Sequence, residues 1–114
     1  MGLDSTIRKG ELEVAYWNYS NAVHGWFVRN AQGDFGDYDA FPITLVHLKR
    51  VLKEINYAIR TKDTCNLPPT SGFMFGSDEV NETYWRKLRE AQKDLRKIIR
   101  EHRLKDKYFY RASW

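Results

Sequence analysis

The 114-residue sequence predicts a mainly α fold: a three-helix bundle with two long packed loops, forming a single domain over residues 1–114. Three segments space their apolar residues three and four positions apart, which is the period of one helix face. Glycines and prolines cluster between these segments, where they favour loops. Hydrophobic residues make up 42% of the chain and charged residues 30%, a composition typical of a folded protein.

The first predicted helix covers residues 11–31, after an N-terminal segment at 1–10. Its apolar stripe consists of Tyr16, Tyr19, Val23, Trp26 and Phe27. Gly33 and Gly36 follow in an acidic, turn-rich loop, which is expected to end the helix.

The second predicted helix covers residues 44–61, and the third covers 81–104. Thr44 follows Pro42 and is a residue type that caps helices; Asn81 or Asp78 is expected to cap the third helix. The two apolar stripes are Leu45, Leu48, Leu52, Ile55 and Ile59 in the second helix, and Tyr84, Leu88, Ala91, Leu95, Ile98 and His102 in the third. A basic and aromatic tail at 105–114 completes the chain.

The loop at residues 65–80 is longer than most connections. Pro68 and Pro69 prevent a helix at its start. The Phe-Met-Phe run at 73–75 is expected to form a short strand or an apolar plug beneath the helices.

Several function classes find no support in the sequence. The single cysteine, Cys65, excludes an internal disulfide and a Cys-rich zinc site, and it fits a reducing cytoplasm. No apolar run reaches the roughly 20 residues of a membrane span, and the N-terminus lacks the pattern of a secretory signal. No nucleotide-binding fingerprint, metal-ligand spacing or acid–base pair is present, so we expect no enzyme, no cofactor and no metal.

A row of polar and aromatic side chains on the first predicted helix is a candidate ligand site. Trp17, Asn21 and His24 place an indole, an amide and an imidazole along one edge, which suits a planar, hydrogen-bonding ligand. The loop residues Thr70, Ser71 and Gly72 offer backbone N–H groups and hydroxyls for a phosphate. The alternative is that these side chains form a hydrogen-bonded packing network.

The last third of the chain is a candidate interface. Residues 81–114 contain eleven Lys or Arg against five acids, whereas the whole chain carries a net charge of +4. The predicted contact residues are Trp85, Arg89, Lys93, Arg96, Tyr108, Tyr110 and Trp114. Aromatic residues make up 15% of the chain, more than a small bundle readily buries, so we expect a homodimer through the third helix and the tail. The alternative is a solvated basic face.

Several segments of the chain resemble those of a known protein family. The run Tyr-Trp-Asn-Tyr-Ser-Asn-Ala-Val-His-Gly-Trp-Phe-Val at 16–28 resembles a motif of small uncharacterised proteins of tailed bacteriophages. The Leu-Pro and Gly-Phe-Met-Phe-Gly segments at 67–77 and the start Met-Gly-Leu-Asp are similar to the same family. The chain departs from the family pattern at Asn18, where a basic residue is usual, and at Met74, where a Phe is usual.

The resemblance implies a phage accessory protein that acts by binding in the host bacterial cytoplasm. We expect an inhibitor of host antiviral defence that sequesters a small, nucleotide-type ligand. The alternative is an inhibitor that binds a host defence protein, such as a CRISPR nuclease. Direct nucleic-acid binding is a third option, which the acids at 90, 94 and 101 disfavour because they interrupt the basic face.

Overall fold

The fold is described from a computed structural model over residues 2–36, 38–70 and 79–114. In chain order its elements are β1 (Asp4–Lys9), β2 (Leu12–Asn18), α1 (Asn21–Asn30), β3 (Phe41–Ile43), α2 (Leu45–Thr61), α3 (Glu82–Arg100) and β4 (Tyr108–Ser113). The protein therefore has an α+β fold, and the predicted mainly α helical bundle is wrong.

The four strands form one antiparallel sheet in the order β2-β1-β4-β3. β1 and β2 form a hairpin in which Gly10 has a φ of +62°, a conformation that glycine adopts without a steric cost. One row across all four strands is buried: Ala15, Ile7, Tyr110 and Phe41 are successive cross-strand partners. β4 therefore lies inside the sheet, between β1 and the edge strand β3, and β2 forms the other edge.

The predicted helix at 11–31 is wrong over its first half, which is strand β2. Ala15 and Trp17 are buried while Tyr16 between them is exposed, and this alternation is the period of a strand. The chain turns at Tyr19 and Ser20, and α1 starts at Asn21. The aromatic residues spaced three and four positions apart therefore belong partly to the end of β2 and partly to α1.

The predicted tail at 105–114 is also corrected, because residues 108–113 form β4. Tyr108, Tyr110 and Ala112 are buried, whereas Arg111 and Ser113 are exposed. The sheet therefore buries some of the aromatic side chains that a three-helix bundle would leave exposed.

Helices α2 and α3 lie within the ranges predicted for the second and third helices. α2 begins with a capping box: Thr44 Oγ1 accepts from His47 N, and His47 Nδ1 accepts from Thr44 N at 3.1 Å. Burial lowers the pKa of His47, and the nearby Arg50 lowers it further. Asn81 Oδ1 caps α3 by accepting from Tyr84 N at 3.2 Å.

The core lies between the three helices and one face of the sheet. α2 and α3 pack along each other, and α3 also packs on β2. Their inward side chains include Leu48, Ile55, Leu88 and Leu95, all fully or almost fully buried. This arrangement brings the end of β2 and the start of α1 next to the first turns of α3.

Candidate functional site

Within the described residues, the three members of the predicted ligand row contact different partners. Trp17 is the first of them. The indole is buried, and its Nε1 donates to Asp94 Oδ2 on α3 at 2.8 Å. This hydrogen bond fastens β2 to α3. The indole face is therefore used for packing.

Asn21 and Thr70 meet where the long loop reaches α1. Thr70 N donates to Asn21 Oδ1 at 3.3 Å. A side chain at Gly25 would overlap Thr70 Oγ1, so the loop approaches the helix backbone closely. The predicted approach of loop and helix is observed at Thr70, whereas Ser71 and Gly72 lie outside the described residues.

His24, the third member of the row, belongs to a buried chain of hydrogen bonds. Its Nδ1 lies 2.8 Å from the Tyr110 hydroxyl, which in turn donates to Ser5 Oγ at 3.0 Å. Burial strongly raises the pKa of Tyr110. Trp114 packs edge-on against the imidazole. These contacts favour the alternative interpretation of the row, a network that links α1 to β1 and β4.

The predicted interface residues separate into two groups, of which the first lies on α3. Trp85 is half-buried, with Lys62 Nζ 4.4 Å from its ring centre. Arg89 forms an ion pair with a carboxylate in the first turn of its own helix. Lys93 and Arg96 are exposed. These residues present a basic, solvated surface.

The second group, in the tail, is mostly buried. Tyr108 and Tyr110 are inward-facing residues of β4, and Trp114 is half-buried between His24 and Tyr38. Tyr108 and Tyr110 are therefore not exposed for a dimer contact, whereas a dimer through the third helix and the tail stays a prediction.

A cleft of about 430 Å³ lies between the β2–α1 turn and the start of α3. The turn contributes Asn18, Tyr19, Ser20, Asn21 and Ala22, and the other wall consists of Glu79, Asn81, Thr83, Tyr84, Arg86, Lys87 and Leu88. Asn21 is the one residue of the predicted ligand set among these described lining residues.

The start of α1, at this cleft, lacks a cap. Ser20 occupies the N-cap position, but its side chain makes no capping hydrogen bond, and the first turn has no acidic residue. Ser20 is 2% exposed, and its Oγ has no hydrogen-bond partner among the residues that the structure describes. Buried hydroxyls are usually paired, so this one is an exception that calls for an explanation. The first N–H groups of a helix and its dipole together favour an anion.

Two cations on α3 line the opposite wall. Arg86 is exposed and forms no ion pair with any residue that the structure describes. Lys87 is largely buried, with 17% of its side chain exposed, and its Nζ lies 3.8 Å from a Glu90 oxygen. Both side chains add positive potential to the cleft, partly offset by the carboxylate of Glu79 at the rim.

Tyr19 gives the cleft a conformationally strained wall. Its φ is +55°, the left-handed region that residues with side chains rarely adopt. The hydrogen bond from Tyr19 N to Leu3 O, 2.7 Å long, holds the turn in this conformation. Gly2 leaves room for the phenol, because a side chain there would overlap the Tyr19 hydroxyl. Such strained residues cluster at ligand sites, where the surrounding structure must maintain them.

Sequence reasoning missed Ser20, Arg86 and Lys87. A Ser-Asn pair before a helix is a recognisable N-terminal pattern, and it would have indicated a helix start at residue 21. The missing cap and the two cations across the cleft emerge only once β2 and α3 are placed side by side.

Comparison with protein families, curated proteins and solved structures finds no match. The phage resemblance therefore stays a prediction. No helix in the described parts of the chain is long and apolar enough to cross a membrane. Within the same residues, no three His, Cys, Asp or Glu side chains gather as a metal site would require.

Proposed function

We propose that this protein binds a small phosphate-bearing ligand in the cleft between the β2–α1 turn and α3. The observation that carries the proposal is the uncapped start of α1. There the buried Ser20 hydroxyl has no partner within residues 2–36, 38–70 and 79–114, and two cations lie across the cleft. Helix N-termini bind phosphate groups through their backbone N–H groups and their dipole.

Each group at the cleft has a distinct part in this proposal. The first N–H groups of α1 and the Ser20 hydroxyl donate to phosphate oxygens. Arg86 supplies a planar, two-pronged donor, and Lys87 supplies a compact charge. Tyr19 is 40% exposed and offers an aromatic face. A nucleotide combines a phosphate with a ring that stacks on such a face, so it is the ligand class we favour.

A role against host defence rests on the phage resemblance and stays a prediction. The second candidate, an inhibitor that binds a host protein, is favoured by one observation: Lys93 and Arg96 lie exposed on α3. Of the aromatic residues in that predicted contact surface, Tyr108 and Tyr110 are buried in β4, so the cleft gives the better-supported function.

The proposal is tested by titrating the full chain with inorganic phosphate and with adenosine monophosphate, followed by NMR of the backbone amides. We expect shifts at residues 20–23 and 86–87. Because a hydrogen bond to a charged group contributes about 1.5–3 kcal/mol, Arg86→Gln should weaken binding about tenfold or more.

Arg96→Gln is the matched control, since Arg96 is exposed on the same helix and does not line the cleft. Equal affinities of the two variants would contradict the assignment of the cleft. If inorganic phosphate and adenosine monophosphate gave the same shifts and affinity, the nucleotide class would be contradicted, whereas the anion site would be supported.

A further inference from the structure

A second surface, distinct from the cleft, is a groove between α2 and α3. Leu52 and Ile99 form its half-buried apolar floor, and Lys49, Lys53 and Arg60 lie along its α2 side. The three cations are spaced over about three turns of α2, so they form a row on one side of the groove.

Cations outnumber carboxylates at the groove, where the nearby Asp63 accepts a hydrogen bond from the Tyr57 hydroxyl at 3.5 Å. Its lining residues within the described chain include no acid, and none of the three cations forms an ion pair with a described residue. The nearby Glu54 is directed elsewhere, since its Oε2 accepts from Asn66 Nδ2 at 2.8 Å. An apolar floor beside unpaired cations fits an acidic segment that carries an apolar side chain. A phosphate backbone would gain nothing from the floor.

The same chain contains such a segment at residues 33–40, here called the acidic loop. It has three Asp and no basic residue. Phe35 is 45% exposed, and Asp34 beside it is exposed and forms no ion pair with described residues. Hydrogen bonds from Gln32 Nε2 to Phe35 O and from Gly36 N to Asp39 Oδ2 hold the described residues of the loop. Phe35 and Asp39 are therefore partly preorganised for binding.

We propose that the acidic loop of one copy docks in the α2–α3 groove of a second copy. Phe35 covers the floor of Leu52 and Ile99, while Asp34 and Asp39 face the cations of α2. Each contact joins the loop of one copy to the groove of the other. Two such contacts, one in each direction, close a symmetric dimer. This dimer uses neither the tail nor the aromatic residues of β4.

The test is sedimentation velocity of the full chain at low and high salt, with two charge-reversed variants. The groove variant is Lys53→Glu/Arg60→Glu, and the loop variant is Asp34→Lys/Asp39→Lys. We expect the wild type to self-associate at about 20 mM salt and to dissociate at about 500 mM, because screening weakens exposed ion pairs. Each variant alone should be monomeric. An equimolar mixture of the two should associate again, since the reversed charges complement each other.

Controls keep this test decisive. Circular dichroism melting establishes that each variant is folded, and Asp34→Lys alone replaces the loop variant if loss of the Gly36–Asp39 hydrogen bond unfolds it. Lys93→Glu, on the exposed face of α3, should associate like the wild type. A wild type that stays monomeric at hundreds of micromolar and low salt would overturn the proposal. Folded variants whose mixture stays monomeric would overturn it equally.

Discussion

Replacing Tyr110 with Phe removes one oxygen atom from the centre of the fold. That hydroxyl donates to Ser5 Oγ at 3.0 Å and lies 2.8 Å from His24 Nδ1. Tyr110 and Ser5 are fully buried, and His24 is 4% exposed. Tyr110→Phe leaves two buried groups without this partner, and each such loss costs about 1–3 kcal/mol. The variant should therefore lower the free energy of unfolding by about 2–6 kcal/mol.

Urea unfolding followed by tryptophan fluorescence measures this loss, with Tyr108→Phe as the matched control. Tyr108 lies two residues away on β4, and its hydroxyl is 2.7 Å from His102 Nδ1, a half-buried group that water can reach. The control should therefore cost less, about 1 kcal/mol. A double-mutant cycle with Ser5→Ala should show a coupling of about 1 kcal/mol. Equal losses for the two Tyr→Phe variants, together with no coupling to Ser5, would refute the network interpretation.

Three further perturbations follow from the same structure. Because the pKa of His47 is lowered in the folded state, wild-type stability should fall as the pH drops below about 6.5, when the unfolded chain takes up a proton. His47→Gln should remove this pH-dependent part of the stability, measured by urea titration at several pH values. Gln keeps the capping box, because its side chain also accepts from Thr44 N. An unchanged pH profile would contradict the role of His47. Burial raises the pKa of Tyr84 to about 12, so stability should fall as the pH rises above about 10. Tyr84→Phe should show a smaller fall than the wild type, since the buried Tyr108 and Tyr110 still contribute. At neutral pH the variant should cost about 1–3 kcal/mol, because Leu67 O loses its donor. Removal of residues 108–114 should abolish cooperative thermal unfolding in circular dichroism, because β4 joins β1 to β3; a truncated chain that melts like the wild type would contradict this topology.

The two long helices are predictable from sequence because their determinants are local. Thr44 and Asn81 are capping residues placed just before apolar stripes of helical period. Every contact needed to recognise these helices lies within one or two turns. Their predicted ranges therefore overlap the observed ones closely.

Strands β1 to β4 are absent from the sequence-based prediction because part of the evidence for them is distant in the sequence. Residues 108–113 alternate buried and more exposed side chains, a local period of two that the predicted tail does not take into account. Their partners on β1, however, are about a hundred positions away, and no local pattern names them. Trp17 and His24 were similarly assigned to one helix face because a strand, a turn and a helix together reproduced helical spacing.

The candidate site was predictable only in part. The sequence indicated that the first helix and the long loop meet, which the contact between Asn21 and Thr70 shows. It could not reveal that Ser20 is buried without a hydrogen-bond partner in the described part of the chain, since this depends on how β2, α1 and α3 enclose the turn.

The most direct test of the proposed anion site is Ser20→Ala, measured both for stability and for nucleotide affinity. Without ligand, removal of a buried unpaired hydroxyl should leave the free energy of unfolding unchanged or raise it. The affinity for adenosine monophosphate, measured by calorimetry, should fall about fivefold to tenfold, because the hydroxyl no longer donates to the phosphate. A variant that binds as tightly as the wild type would contradict the site, as would a wild type that shows no binding at about 10 mM nucleotide.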